Sequence, residues 1–333
     1  MRKRYGIAFF LVSALLVGVI LLSLSWGTYT ISIGEILETL LGNGSKMQQS
    51  VIFKIRLPRI CVALVVGMAL STAGCILQSV TKNELAEPGI IGINAGAALA
   101  VVLLISLGMD YYNEIGNGRL LLMPAVSMFG ALVAAVIIYG LAYRKGKVTP
   151  IRLILVGIGV NAGINAIVTL YQLNMSSGDY NRALTWISGS LWGSSWKYFW
   201  LVTPVILVLM ILTMYKSKTL DVIDLGDELA TGLGVKVEKN RRLLLAYAVG
   251  FAALATAVAG NIAFLGLLGP HIAKSFVGPV HKRQIPMAAL ISGCIIIFAD
   301  AISRNLFSPI EIPVGITISI VGVPYFIYLM LKN

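Results

Sequence analysis

The residues able to do chemistry in this 333-residue chain are few and scattered. Asp300 and Arg304 stand four apart, the spacing of an ion pair on one helix face. A carboxylate inside an apolar run is also what an intramembrane proton carrier would use; the local pair is the preferred reading. Asn161 and Asn165 are likewise four apart. An unpaired amide in hydrocarbon is costly, so both need a partner helix or water, either as glue between helices or as lining of a polar path. Arg56 and Arg59 bracket Pro58, which suits the first turn of a helix. With Arg304 they offer cations to an acidic partner, or to phosphate headgroups reached by snorkelling.

The constellations that carry catalysis are missing from the sequence. Gly42-Asn43-Gly44-Ser45-Lys46 lacks the spacing of a phosphate-binding loop. No paired-carboxylate metal motif of a membrane transferase is present, and His271 and His281 are too few for a metal cluster. Cys61, Cys75 and Cys294 lie in apolar runs without metal spacing and read as small packing residues. No enzyme activity is expected, and any work driven by ATP needs its nucleotide site on another chain.

Composition then says what must position these groups. Hydrophobic residues make up 58% and charged residues 12%, and mean hydropathy is +0.88, which excludes a soluble globular chain. Apolar runs of about 18–22 residues are long enough to cross a bilayer as helices. The net charge of +12 does not point to nucleic acid, because the cations sit in short clusters between apolar runs. The pattern predicts about ten spans, at 6–24, 57–80, 89–107, 121–143, 151–171, 198–215, 242–260, 262–278, 285–303 and 312–331. The first is too long for a signal peptide and is read as an uncleaved span. With the N-terminus inside, about eighteen of the 26 Lys and Arg fall on the inner side. The inner clusters are Arg2-Lys3-Arg4, Arg144-Lys145 with Lys147 and Arg152, the 216–242 loop, and Lys282-Arg283, and an even number of spans returns Lys332 to that side. Trp186, Trp192, Trp196 and Trp200 gather in and just after the outer segment 172–197. An interfacial aromatic belt is preferred there over a ligand-stacking site.

Between the sixth and seventh spans lies the one long polar segment of the second half, residues 220–242. Val222, Leu225, Leu229 and Leu233 recur as an apolar stripe on a short helix, which Gly232 and Gly234 would end. Such a helix is either a linker or a knob for a partner's groove. Elsewhere small residues form packing faces: Ala63, Gly67, Ser71 and Cys75 in the second span, Gly159 and Gly163 in the fifth. Arg59, Val66 and Gly67 are matched in spacing by Arg242, Val249 and Gly250, and Gly89-Ile-Ile-Gly92 echoes Gly266-Leu-Leu-Gly269, a faint internal repeat of the inverted-transporter kind.

Several stretches together resemble the permease subunits of iron–siderophore and cobalamin importers of the ATP-binding-cassette type, the FecCD-type family. They are KIRLPR (54–59), TKNELAEPGIIGINAGA (81–97), LGDELATGLG (225–234), AFLGLLGPHIAK (263–274), ADAISR (299–304) and EIPVGITISIVGVPYFIYLM (311–330). The resemblance implies an all-α polytopic membrane protein, a type II importer permease bundle of ten helices formed by residues 1–333 as a single transmembrane domain. It implies a homo- or heterodimer with a second permease subunit, a cytoplasmic ATPase that holds ATP and Mg, an extracytoplasmic binding protein, and no cofactor or metal on this chain. Leu225, Gly226, Asp227, Glu228, Ala230, Leu233 and Gly234 would form the helix that seats on the ATPase. Arg56, Arg59 and Arg304 match the family's docking arginines, and the resemblance tips those residues toward docking. Asn161 and Asn165 remain candidates for the path. Lys82-Asn83-Glu84 and Lys274 depart from the commoner Arg-Asn-Pro and Arg. The 178–196 region and the ending GVPYFIYLM are closest to Gram-positive iron(III)–siderophore permeases, with a lean to a catecholate siderophore over cobalamin or haem. The expected place is the cell membrane, with both termini cytoplasmic.

Overall fold

A computed structural model describes residues 2–89, 92–107, 119–308 and 310–332. Ile90 and Ile91 of the 89–92 motif, and with them the start of the expected third span, lie outside the described residues. The chain is a bundle of helices: α1 (Arg2–Ser25), α2 (Ile33–Leu40), α3 (Lys46–Ser50), α4 (Leu57–Thr81), α5 (Ile93–Leu107), α6 (Arg119–Ala142), α7 (Pro150–Leu173), α8 (Ser177–Ile187), α9 (Trp196–Tyr215), α10 (Ser217–Asp224), α11 (Asp227–Gly232), α12 (Val237–Ala259), α13 (Leu265–Val277), α14 (His281–Asn305) and α15 (Val314–Lys332). A two-residue hairpin, Tyr143–Arg144 with Lys147–Val148, joins α6 to α7.

Among the described residues, eight of the ten expected spans are helices long and apolar enough to cross a bilayer. For the third, α5 is described over Ile93–Leu107, and the eighth, α13, has 13 residues. At 1.5 Å per residue α13 does not reach the roughly 30 Å of a hydrocarbon core. A long helix, a break and a further helix occur twice, as α4–α5 and as α12–α13. The second span begins earlier than expected, because a π-helical turn, Val51–Arg56, joins α3 to α4 without interruption. Pro58 has no N–H for the helix ladder, and Leu57 N–H donates to Ile52, five residues back. The central loop folds as two helices and not as one, because Gly226 at φ 122° breaks the stripe after Leu225.

α4 and α14 are buried along most of their length, whereas α1, α7 and α9 turn most of theirs outward. Small residues permit this. A Cβ on Gly67 would sit 2.9 Å from Ser292 O, and one on Gly74 would collide with the backbone of Gly266 on α13. The ladder Ala63, Gly67, Ser71 and Cys75 is buried as expected. Gly159 and Gly163 pack against nothing among the described residues. Gly74→Ala is therefore expected to cost about 1–3 kcal/mol through forced separation of α4 from α13, read as a lower thermal midpoint of the solubilised chain. Gly163→Ala in the same assay should leave that midpoint unchanged.

Candidate functional site

Three sets of residues stand out, one at each end of the bundle and one at its middle. At the loop end, α10 buries Leu220 and Ile223 against the bundle, and α11 follows after the Gly226 turn. Leu225, Leu229 and Leu233 are 61%, 60% and 65% exposed, while Ala230 is fully buried. The apolar stripe therefore faces outward as three leucines, and Ala230 packs into the chain's own core. Glu228 and Gly234 lie on the exposed side.

Asp227 fastens this knob. Its carboxylate accepts from Arg241 Nη2 at 2.8 Å through both oxygens and pairs with Lys82 Nζ at 3.1 Å. Burial pushes the Asp227 carboxyl up, but hydrogen bonds from Arg241 and Lys82 outweigh it and hold it below the ordinary carboxylate range. Lys82 sits in a left-handed turn that ends α4, and Arg241 Nη1 also reaches Val148 O of the hairpin at 3.3 Å. Nearby, Glu84 Oε1 meets Lys274 Nζ at 2.6 Å. The two departures from the family pattern are thus partners of each other.

At the opposite end the arginines turn inward. Arg59 Nε donates to Asp300 Oδ1 at 3.0 Å and its Nη2 to the same oxygen at 2.9 Å, while Nη1 donates to Glu311 Oε2 at 2.9 Å. Arg304 Nε lies 3.1 Å from Asp300 Oδ2, the i,i+4 pair expected from spacing, and its Nη2 reaches Ser23 Oγ at 2.8 Å. Asp300 is thus shared by two guanidiniums and is 1% exposed. Arg56 is buried too and donates to the carbonyls of Leu24 and Ser25 at the end of α1 and of Tyr29 just beyond it. Spacing alone found the Arg304 pair. It missed Arg59 and Glu311, which come from distant parts of the chain.

Beside this cluster a cavity of 780 Å³ is lined by Asn181, Thr185, Trp186, Trp192, Tyr198 and Glu311, among others. Two of the four tryptophans therefore line a cavity. Trp196 Nε1 donates to Phe53 O at 2.8 Å, and Trp200 is exposed on α9.

On α7, Asn165 Nδ2 donates to Asn161 Oδ1 at 2.8 Å. Asn165 is exposed on the same outward side as Gly159 and Gly163. Around them the outward side of α7 is largely apolar, with Leu155, Ile158, Ile167 and Leu170 exposed. The middle of the bundle holds a polar cluster that sequence reading did not mark. Asn94 Nδ2 donates to Asn261 Oδ1 at 2.6 Å, and Thr256 Oγ1 to Asn94 Oδ1 at 3.1 Å. Close by, Glu87 is buried, its carboxylate accepting from the Phe264 N–H that opens α13. The two helix breaks meet here. Nothing in the sequence marked a role for Glu87, which lies beside Gly89 and Gly266 of the two echoing motifs.

The pattern of the FecCD transport family matches residues 15–332. The iron(3+)-hydroxamate import system permease protein FhuG of Bacillus subtilis is 49% identical over 318 residues, 96% of this chain and 94% of that protein. The iron-uptake system permease protein FeuC of the same organism is 36% identical over 334 residues, 100% and 98% of the two chains. Among solved structures, a metal-chelate type ABC transporter in an inward-facing conformation superposes with a TM-score of 0.85 at 28% identity, covering 98% of this chain and 99% of that one.

Proposed function

The chain belongs to the FecCD transport family, and from that premise we propose that it is the membrane-spanning permease of an ATP-binding-cassette importer that carries an iron(III)–hydroxamate siderophore inward. The observation that carries the ligand class is the 49% identity to a hydroxamate permease over 96% of the chain; it replaces the catecholate lean of the sequence reading. The chain moves its cargo and changes no covalent bond.

In this reading the loop end faces the cytoplasm with both chain termini. Leu225, Leu229 and Leu233 seat in a groove of the ATPase, which binds ATP and Mg. The supporting fact is a row of exposed leucines on a knob held firm by Asp227. The arginine end faces outward and receives the binding protein. Arg59 and Arg304 share Asp300 and Glu311 while Arg56 is held by carbonyls, so three cations stand beside two carboxylates and the cluster keeps a cationic excess for an acidic partner. The open face of α7, with Asn161 and Asn165, lines the path or meets the second permease subunit. Proton coupling through Asp300 is disfavoured, because its carboxylate is already occupied by Arg59 and Arg304 within the chain.

Uptake of ⁵⁵Fe bound to a tris-hydroxamate, in cells lacking the chain and in cells with it restored, tests the proposal. Restoration should recover hydroxamate uptake and leave catecholate uptake unchanged, and a protonophore applied with ATP maintained should not stop it. Recovery only of a catecholate or citrate complex would overturn the ligand class. Uptake that follows the proton gradient and ignores the ATPase would overturn the mechanism.

A further inference from the structure

His271 and His281 carried no function in the sequence, yet His281 occupies a junction of three helices. It is the first residue of α14 and is 2% exposed. Asp221 of α10 accepts two hydrogen bonds from it through one oxygen: from the backbone N–H at 2.8 Å and from Nδ1 at 2.6 Å. A carboxylate only accepts, so Nδ1 carries a proton. On the far side of the ring Nε2 lies 2.6 Å from Ser79 Oγ, in the last turns of α4. Ser79 is buried as well. Asp221 therefore sits at the positive end of α14, where a carboxylate is favoured, and one rigid imidazole joins α10 to both α4 and α14.

Those two helices are the central pair of the bundle. Gly67 of α4 packs on the backbone of Ser292 and Gly293, and Arg59 with Asp300 joins the pair again at its other end. The loop's ion pair with the end of α4, Lys82 to Asp227, is between partly exposed groups, and such pairs contribute little. The stiff link is the buried one.

We propose that His281 is a positioning residue for energy coupling, the joint through which displacement of the α10–α11 loop is passed to α4 and α14. This rests on the reading of that loop as the seat of the ATPase. When the ATPase moves the exposed leucines, Asp221 moves with them and draws the N-terminus of α14 and the end of α4 in register. Without the imidazole the loop still seats and the ATPase still turns over, but the helices no longer follow.

The test is the permease with its ATPase and binding protein in proteoliposomes, measuring three things: ATPase retained, ATP hydrolysed, and iron(III)–tris-hydroxamate taken up per ATP. His281→Ala should retain the ATPase and its hydrolysis while uptake per ATP falls about tenfold, the scale of one or two lost buried hydrogen bonds. Ser79→Ala removes only a hydroxyl at the same joint and should lower uptake per ATP in the same sense. His281→Asn, whose amide N–H takes the place of Nδ1–H, should recover part of the loss. An unchanged ratio in both alanine variants overturns the proposal, as does loss of the ATPase or of the folded chain in Ser79→Ala, which would make the joint mere packing. A wild-type complex that takes up the chelate without hydrolysing ATP overturns the reading beneath it as well.

Discussion

Asp300→Ala is expected to cost the folded chain about 3–5 kcal/mol, the usual penalty for removing one partner of a buried ion pair. The carboxylate meets Arg59 through three contacts and Arg304 through one. Its removal leaves two guanidiniums beside one another with only Glu311, which is partly exposed, to balance them. Asp300→Asn should fall in the same direction, because an uncharged amide cannot offset two cations. Glu311→Gln should cost under about 1 kcal/mol, since an exposed partner is compensated by water. The thermal midpoint of the solubilised chain, with its level in the membrane, reads all three. A midpoint unchanged in Asp300→Ala would mean that the cluster does not hold the α1, α4, α14 and α15 ends together. If that variant kept its fold and lost only proton dependence of uptake, Asp300 would be a carrier after all.

Leu229→Glu is expected to leave the chain folded and inserted while stripping it of the ATPase and abolishing uptake. Leu229 is 60% exposed on α11 between Leu225 and Leu233, so glutamate there meets water in the free chain and nothing is displaced. In the importer proposed above the same position becomes a buried apolar contact. Interface anchors of this kind contribute about 2 kcal/mol or more, roughly thirtyfold in affinity, before any penalty for the buried charge. Co-purification of the ATPase and ⁵⁵Fe uptake from one preparation measure the two effects. Ala230→Glu is the instructive contrast. Ala230 is fully buried in this chain, so its variant should lose the thermal midpoint together with the ATPase. Retention of the ATPase by Leu229→Glu would show the loop to be a linker, and the proposed coupling would fall with it.

The family was legible because its motifs run in order along nearly the whole chain. Within those motifs the roles of individual side chains were less so. Leu225, Ala230 and Leu233 belong to one motif, but only the break at Gly226 and the packing of α11 separate the outward leucines from the inward alanine. Glu84 and Lys274 looked like two independent departures until the fold placed them 2.6 Å apart. Arg56 and Arg59, three apart on one helix, go to different partners, one to carbonyls at the end of α1 and the other to carboxylates on α14 and just before α15.

The sequence by itself determined the class of the protein, the order of its long apolar helices, and the position of the polar loop. Each is a local property: in lipid a helix must satisfy its own backbone, so a long apolar run specifies a span without reference to its neighbours. Which way each helix turns its side chains was decided only by the tertiary structure. Adjacent positions on a helix differ by about 100° in direction, and the rotation is set by close packing at Gly67 and Gly74 against distant backbone. The Arg59–Asp300 pair spans 241 positions, and the joint at His281 gathers Ser79 and Asp221 from two other helices. No periodicity along the chain records contacts at such separations, because only the docking of whole helices brings them into being.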